Sequence, residues 1–326
     1  MTDVARVAGV SHQTVSRVLK GSPRVDANTR VRVLAVVEQL GYRPNVAARA
    51  LATGRSQTLG VVILDTTLFG PASVLSGIEQ AARAAGYFVS IASVPRLDRD
   101  AVSEAVERLE TQSIDGIILI APQAFAVDAL RAHAEDLPMV VVDGAVGTGI
   151  RRVQIDQFEG ARLATQHLLD LGHSTVWHVA GPADWYEAVT RQEGWRATLQ
   201  KAGREAPPPV AGDWSPRSGY RAGQLLARVP ELSAVFVAND HMALGLSYAL
   251  HERGRRLPDE ISVVGFDDIP EAEFLNPPLT TIRQNFAGLG EAALRDLLSQ
   301  INGRPAPGDA PDLSLELVVR GSTAAV

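Results

Sequence analysis

From Thr58 onward, short apolar runs alternate with stretches of amphipathic helical pattern, and this alternation constrains the fold more than any other feature of the chain. The runs are LGVVIL, YFVSIA, DGIILIA and PMVVVD before residue 150, then VWHVAG, AVFVAND and ISVVGFDD. Strands without polar alternation must be covered on both faces, so the pattern predicts right-handed βαβ units and parallel sheets, divided into two lobes. AGREAPPPVAGDW, inside the second lobe, reads as a surface loop leading to a strand. With 326 residues the chain can build two such lobes and a small appended module, and no repeat of solenoid period is present.

A different pattern precedes residue 58. In AGVSHQTVSRVLKG, Gly9 suits the left-handed residue that ends one helix and Ser11 suits the N-cap of the next. Val15, Val18 and Leu19 then recur at i, i+3 and i+4, so the reading is helix, tight turn, helix. At roughly 100° per residue, His12, Gln13, Ser16 and Arg17 share the opposite arc, which leaves one face to pack and one to touch a partner. On that open face Gln13 can bridge N6 and N7 of adenine, and Arg17 can bridge O6 and N7 of guanine. TRVRVLAVVEQLGY predicts a third helix with Val33, Val36, Val37 and Leu40 on one side, stopped by Gly41 and Tyr42-Arg43-Pro44. Asn45 can cap VAARALATG, a segment too short for an isolated helix and expected to order only against a partner.

Charge separates along the same boundary. The first 55 residues carry a net +6 and the remainder −12, a basic head that attracts phosphates on a body that repels them. The absence of cysteine excludes disulfides and thiolate metal sites. No phosphate loop and no nucleophile elbow occurs. GLGEAA, Gly288 to Ala293, has the spacing of a dinucleotide fingerprint, but too little chain follows it for the βαβ succession such a site needs. His167, His173 and His178 are spaced wrongly for a zinc motif and read as helix-surface or capping residues. The chain is therefore expected not to be an enzyme and to use no cofactor or metal. MTDVARVAGV lacks a basic segment followed by an apolar one, and no stretch approaches roughly 18 apolar residues, so a soluble, cytoplasmic protein without membrane partner is expected.

The whole stretch from Asp3 to Gly54 resembles the DNA-binding head of the lactose/galactose repressor (LacI/GalR) family. The likeness continues to about residue 320 through VVDGAV, HLLDLGH, AGP, GW, VANDHMALG, VVGFDD and PPLTTIRQNF. It implies a three-helix helix-turn-helix head over 1–44, a hinge helix and linker over 45–57, and a two-lobed α/β core like a periplasmic binding protein over 58–326. The first lobe is expected at about 58–155 with 286–313, the second at about 156–285 with 314–322. By position, His12, Gln13 and Arg17 match residues that meet base edges, and Ser16, Arg24, Thr29, Tyr42 and Asn45 match residues that hold phosphates. Leu51 matches the hinge leucine that wedges into the minor groove. The chain departs from the family at its start, where only Met1 and Thr2 precede Asp3; either Thr2 caps the first helix or the native start lies upstream.

Sugar sites need an aromatic face for the ring and planar polar groups that bond hydroxyls in pairs. By resemblance to the family's galactoside-binding member, Asp143, Arg191, Trp214, Asn239, Asp267, Gln284 and Phe286 fall at ligand-contact positions. Trp214 is expected to stack on the pyranose, while Asp267, Arg191 and Asn239 pair with hydroxyls. The resemblance thus implies a homodimeric repressor of a near-palindromic operator, relieved by a small sugar, most closely a galactoside, bound between the lobes. It places the helix holding Val74, Leu75 and Ile78, and the helix from His241 to Leu250, near the dimer surface. No apolar heptads of a tetramer-forming segment are present. An exported-type sugar receptor without DNA function would share such a core, and the basic head argues against it.

Overall fold

The computed structural model describes residues 1–19, 21–42, 54–64, 66–94, 99–120, 137–144, 150–305 and 312–326. They form two compact units, 1–56 and 57–326. The segment expected to form a hinge helix, with Asn45 and Leu51, lies outside the described residues.

The first unit holds three helices, α1 (Thr2–Ala8), α2 (His12–Leu19) and α3 (Ala27–Gln39). Gly9 ends α1 at φ 63°, a conformation that costs a side chain dearly and glycine little. The Ser11 hydroxyl then accepts the amide of Thr14 at 3.1 Å and starts α2. Asp26 caps α3 in the same way through Thr29, at 2.9 Å. Val4, Ala5, Ala8, Val15, Val18, Val33 and Val36 form the core of this unit, with Leu19, Val37 and Tyr42 partly buried against it. Two expectations fail at its edges. Leu40 is 44% exposed, because α3 has ended and its residue lies past the last turn facing the core. Thr2 is the first helical residue rather than the cap; Met1 occupies the cap position and offers no side-chain bond.

The second unit is built on two sheets. The first contains β1 (Thr58–Ile63), β2 (Phe88–Ser93), β3 (Gly116–Ile120), β4 (Met139–Val142) and β5 (Arg151–Val153) in the order β2-β1-β3-β4-β5. All its pairings are parallel, and β3 and β4 are buried throughout, as continuous apolar runs require. The helices α4 (Phe69–Ala84) and α5 (Arg99–Glu110) connect its strands. The second sheet has the order β11-β10-β9-β8-β6-β7. Its strands are β6 (Trp177–Ala180), β7 (Val210–Ala211), β8 (Ala234–Val237), β9 (Ser262–Asp267), β10 (Thr280–Arg283) and β11 (Glu316–Val318). Helices α6 (Gln157–Asp170), α7 (Tyr186–Lys201), α8 (Pro216–Leu226) and α9 (Asp240–Glu252) belong to it. The last strand, β11, pairs antiparallel with β10, so this sheet is parallel except at one edge.

The chain passes between the sheets more than once. After β5 it enters α6 of the second sheet; after β10 it returns as α10 (Phe286–Ile301), whose Leu289, Ala293, Leu294 and Leu297 pack in the core of the first. It then goes back for β11. GLGEAA is the start of α10: Asn285 caps it through the amide of Gly288 at 2.8 Å, and the backbone of α4 presses against Gly290. On α4, Val74 and Ile78 point into the subunit's own core, leaving Ser76, Glu79 and Gln80 outward. The histidine expectation needs correction at His178. It lies in β6, fully buried and stacked between Trp195 (5.1 Å) and Phe236 (4.8 Å), a core residue rather than a cap. His167, by contrast, sits in the last turn of α6 and bonds Thr323 at 3.0 Å.

Candidate functional site

In the first unit, α2 turns its apolar side inward and leaves His12, Gln13 and Arg17 exposed together, with Ser16 half-buried beside them. Arg24 is exposed on the segment before α3. Thr29 is half-buried and already engaged, because its amide and side chain both bond Asp26 and hold that carboxyl below the usual range. The ring of Tyr42 packs partly into the helical core.

In the second unit, a cleft with about 630 Å³ of atom-free space, part of it open to solvent, lies where the strands end. Ligand sites of open parallel sheets form at the carboxyl ends of strands, and the residues expected there follow that rule. Asp143 comes directly after β4, Asn239 two residues after β8, Asp267 ends β9, and Gln284 follows β10. Trp214 follows β7, Arg191 sits in the second turn of α7, and Phe286 opens α10. All seven line the one cleft. Three of them, Asp143, Trp214 and Asp267, have positive φ values of 50°, 70° and 111°. Non-glycine residues pay about 1–3 kcal/mol for such backbone and keep it mainly where function requires the side chain aimed.

The walls differ in chemistry. Leu68, Phe69, Val74 and Phe286 give an apolar side, with Phe69 edge-on to Phe286 at 5.8 Å. Facing them, a closed circuit of polar groups runs through four buried side chains. Arg191 Nε donates to Gln157 Oε1 at 2.8 Å, and Gln157 Nε2 donates to Gln284 Oε1 at 2.9 Å. Gln284 Nε2 donates to Asp267 Oδ1 at 2.8 Å, and Asp267 Oδ1 lies 3.5 Å from Arg191 Nη2. Arg191 Nη1 also donates to the carbonyl of Ala238, and its plane lies 3.8 Å over the Phe266 ring. Asn239 is equally committed: its Oδ1 caps α9 through Met242 at 2.9 Å, and its Nδ2 holds the Trp214 carbonyl at 3.1 Å. Trp214 rests on Gly181, where a Cβ would fall 2.2 Å from the indole.

Burial controls the charges here. It pushes the Asp143 carboxyl up to about 7, against the opposing pull of the Ile155 amide and of Arg191. Asp267 is pushed up to about 6 by the same cause, with Arg191 and Gln284 restraining it. Glu187, in the first turn of α7, is pushed up to about 8 by burial and then by the charge of Asp143. Two cleft residues carry a buried polar atom without a hydrogen bond, Glu187 Oε2 and Trp214 Nε1. An unpaired acceptor and an unpaired donor in one cleft fit ligand hydroxyls, which supply both kinds of partner.

Several cleft residues escape a reading of the sequence: Phe69, Gln157, Trp185, Glu187 and His241. Trp185 meets Trp214 edge-on at 5.6 Å. The spacing of Glu187 and Arg191, four apart on one helix, was the available signal for Glu187. Gln157 gave none, because its role depends on contact with a residue 127 positions away.

A helical head with an exposed polar recognition face, followed in the same chain by a two-sheet unit with a ligand-shaped cleft, defines a ligand-responsive DNA-binding regulator. The model for bacterial regulatory proteins of the lacI family matches residues 1–45, and that for a periplasmic binding protein-like domain matches 165–323. The chain is 36% identical to the lactose operon repressor of Escherichia coli K12 over 99% of its length and 90% of the relative's. It is 32% identical to the HTH-type transcriptional repressor PurR of Pasteurella multocida, covering 98% of this chain and 97% of that one. A crystal structure of the Lac repressor dimer bound to operator and the anti-inducer ONPF superposes with a TM-score of 0.89 at 35% identity, covering 99% and 98% of the two chains. The chain belongs to the lacI family, as a DNA-binding transcriptional repressor with a ligand-binding domain and not an enzyme. Among the described residues no helix is long and apolar enough to cross a membrane.

Proposed function

We propose that the chain is a homodimeric repressor that reads a near-palindromic operator in the cytoplasm and releases it when a small sugar, most closely a galactoside, enters the cleft. The observation that carries the sugar reading is one cleft combining indole faces with carboxylate, guanidinium and amide groups at strand ends. The similarity to the lactose operon repressor supports the galactoside, and the Lac repressor dimer at its operator supports the assembly. His12, Gln13 and Arg17 read base edges; Ser16, Arg24, Thr29, Tyr42 and Asn45 hold phosphates; Leu51 wedges the minor groove. The head and linker comprise 1–57, and the two lobes divide the rest at 155–156, 285–286 and 313–314.

The polar circuit gives the cleft a mechanical connection. Gln157 stands where the chain first crosses between sheets and Gln284 where it crosses back, and they bond directly at 2.9 Å. A sugar that engages Asp267 and Arg191 therefore acts on both crossings at once. It shifts the repressor only if it binds the released arrangement more tightly than the DNA-bound one. Linkage then requires operator to weaken sugar affinity by the same factor.

Titrating sugars and purines against tryptophan fluorescence, with and without operator duplex, tests the scheme. Equal sugar affinity in both conditions refutes it, and a purine preferred over every sugar refutes the effector class. On the DNA side, Arg17→Ala should lose roughly 1–3 kcal/mol of discrimination between operator and random duplex, whereas Arg24→Ala should weaken both alike and flatten the salt dependence. Full discrimination in Arg17→Ala refutes the assignment of that face.

A further inference from the structure

Glu187 lies one helical turn before Arg191 on α7, so both present to the same side, and both line the cleft. Their situations differ. The guanidinium is bonded to Gln157, Ala238 and Asp267, whereas Glu187 Oε2 is buried and accepts nothing. Asp143 reaches the cleft from the end of β4 in the other sheet, and Asp267 from the end of β9. Among the described lining residues, three carboxyl groups thus face a single guanidinium that is already engaged, with Asp240 fully buried behind them. Arg152, near Asp143, bonds the Gly144 carbonyl at 2.7 Å, and His241 stands edge-on to Phe69 at 6.5 Å.

We propose that Glu187 is a specificity-determining residue: with Asp143 it receives hydroxyl donors of an uncharged sugar, and the surplus of carboxyl groups rejects sugar phosphates and uronates. This rests on the reading of the cleft as a sugar site. A buried polar atom left unpaired must find its partner on the ligand, and a carboxyl oxygen that accepts nothing finds it in a hydroxyl donor. An anionic ligand would bring a further negative charge into a site where burial already disfavours ionisation. The two carboxyl groups, raised to about 7 and about 8, keep a proton between them near neutrality, which removes the need for a cationic ligand.

The test is a calorimetric titration of the full-length protein and of Glu187→Gln and Glu187→Ala with methyl galactosides and glucosides, galactose 6-phosphate, galacturonate and galactosamine. The unaltered protein should bind a neutral glycoside and reject the phosphate and the uronate. Glu187→Gln should weaken the neutral sugar by about tenfold or more and narrow its advantage over the phosphate. The melting temperature of the unliganded Glu187→Gln protein should stay equal or rise, because the variant removes the penalty of burying an ionisable carboxyl; a residue with a purely structural role would lower it. Unchanged neutral-sugar affinity in Glu187→Gln overturns this inference alone. So does a fall in melting temperature with an unaltered ranking of ligands, or a galactosamine preferred at least about tenfold over neutral galactosides. Failure of the unaltered protein to bind any sugar overturns the sugar reading and this inference with it.

Discussion

Arg191→Met keeps the length and apolar stem of the side chain over Phe266 while deleting every donor, and it isolates what the polar circuit contributes to the fold. Arg191 and Asp267 are 5% and 8% exposed, so solvent cannot replace the lost bonds. The substitution strands the Asp267 carboxylate beside Gln284 and removes the donors to Gln157 and Ala238. Breaking a buried pair by deleting one partner costs about 3–5 kcal/mol, against a few tenths for an exposed one. The cost should depend on pH. Asp267 already sits at about 6 with Arg191 beside it, and without the guanidinium it rises further, so the stranded group takes up a proton as the pH falls. Urea unfolding followed by far-ultraviolet circular dichroism should therefore show the larger loss at pH 8 and a smaller one near pH 5.5. Arg191→Met with Asp267→Asn should recover about 1–3 kcal/mol of it, since the second change removes the stranded charge. A loss below about 1 kcal/mol, or a double variant no more stable than Arg191→Met at pH 8, refutes the circuit as a source of stability.

Two further outcomes follow from the same region. Burial lowers the His178 ring to about 4 from an ordinary 6.5, so the unfolded chain binds a proton that the folded one refuses between those values. Stability carried by the neutral ring is complete above pH 6.5 and should fall by about 3 kcal/mol as the pH drops to 4. His178→Phe should gain that amount relative to the unaltered protein over this window; parallel pH profiles would show that the ring is not held neutral. Gly181→Ala places a methyl group 2.2 Å from Trp214, and should displace the indole at a cost of roughly 1–3 kcal/mol, weaken sugar binding and shift the tryptophan emission. An alanine variant that binds and fluoresces as the unaltered protein does would place Trp214 outside the binding surface.

The strand runs, the three head helices and the exposed arc of His12, Gln13 and Arg17 were legible in the amino-acid sequence because each depends on neighbours a few residues away, whereas the order of the strands in each sheet was not. A buried parallel strand declares itself by an unbroken apolar run, and an N-cap by Ser11 or Asp26 standing just ahead of one helical period. The strand-end residues Asp143, Asn239 and Asp267 were legible only through the family resemblance, and the structure places them at or just past the carboxyl ends of β4, β8 and β9. Short strands gave weaker signals: β5, at three residues, carries two arginines and no apolar run to mark it. Tertiary packing alone decided the rest. Gln157 meets Gln284, Glu187 shares a cleft with Asp143, and Trp185 stands against Trp214, all through contacts between distant stretches of chain. Periodicity says which side of a helix is apolar, but whether a polar side chain on it becomes a dry, unpaired ligand group depends on what the other sheet brings opposite, and that is set only when both sheets have packed.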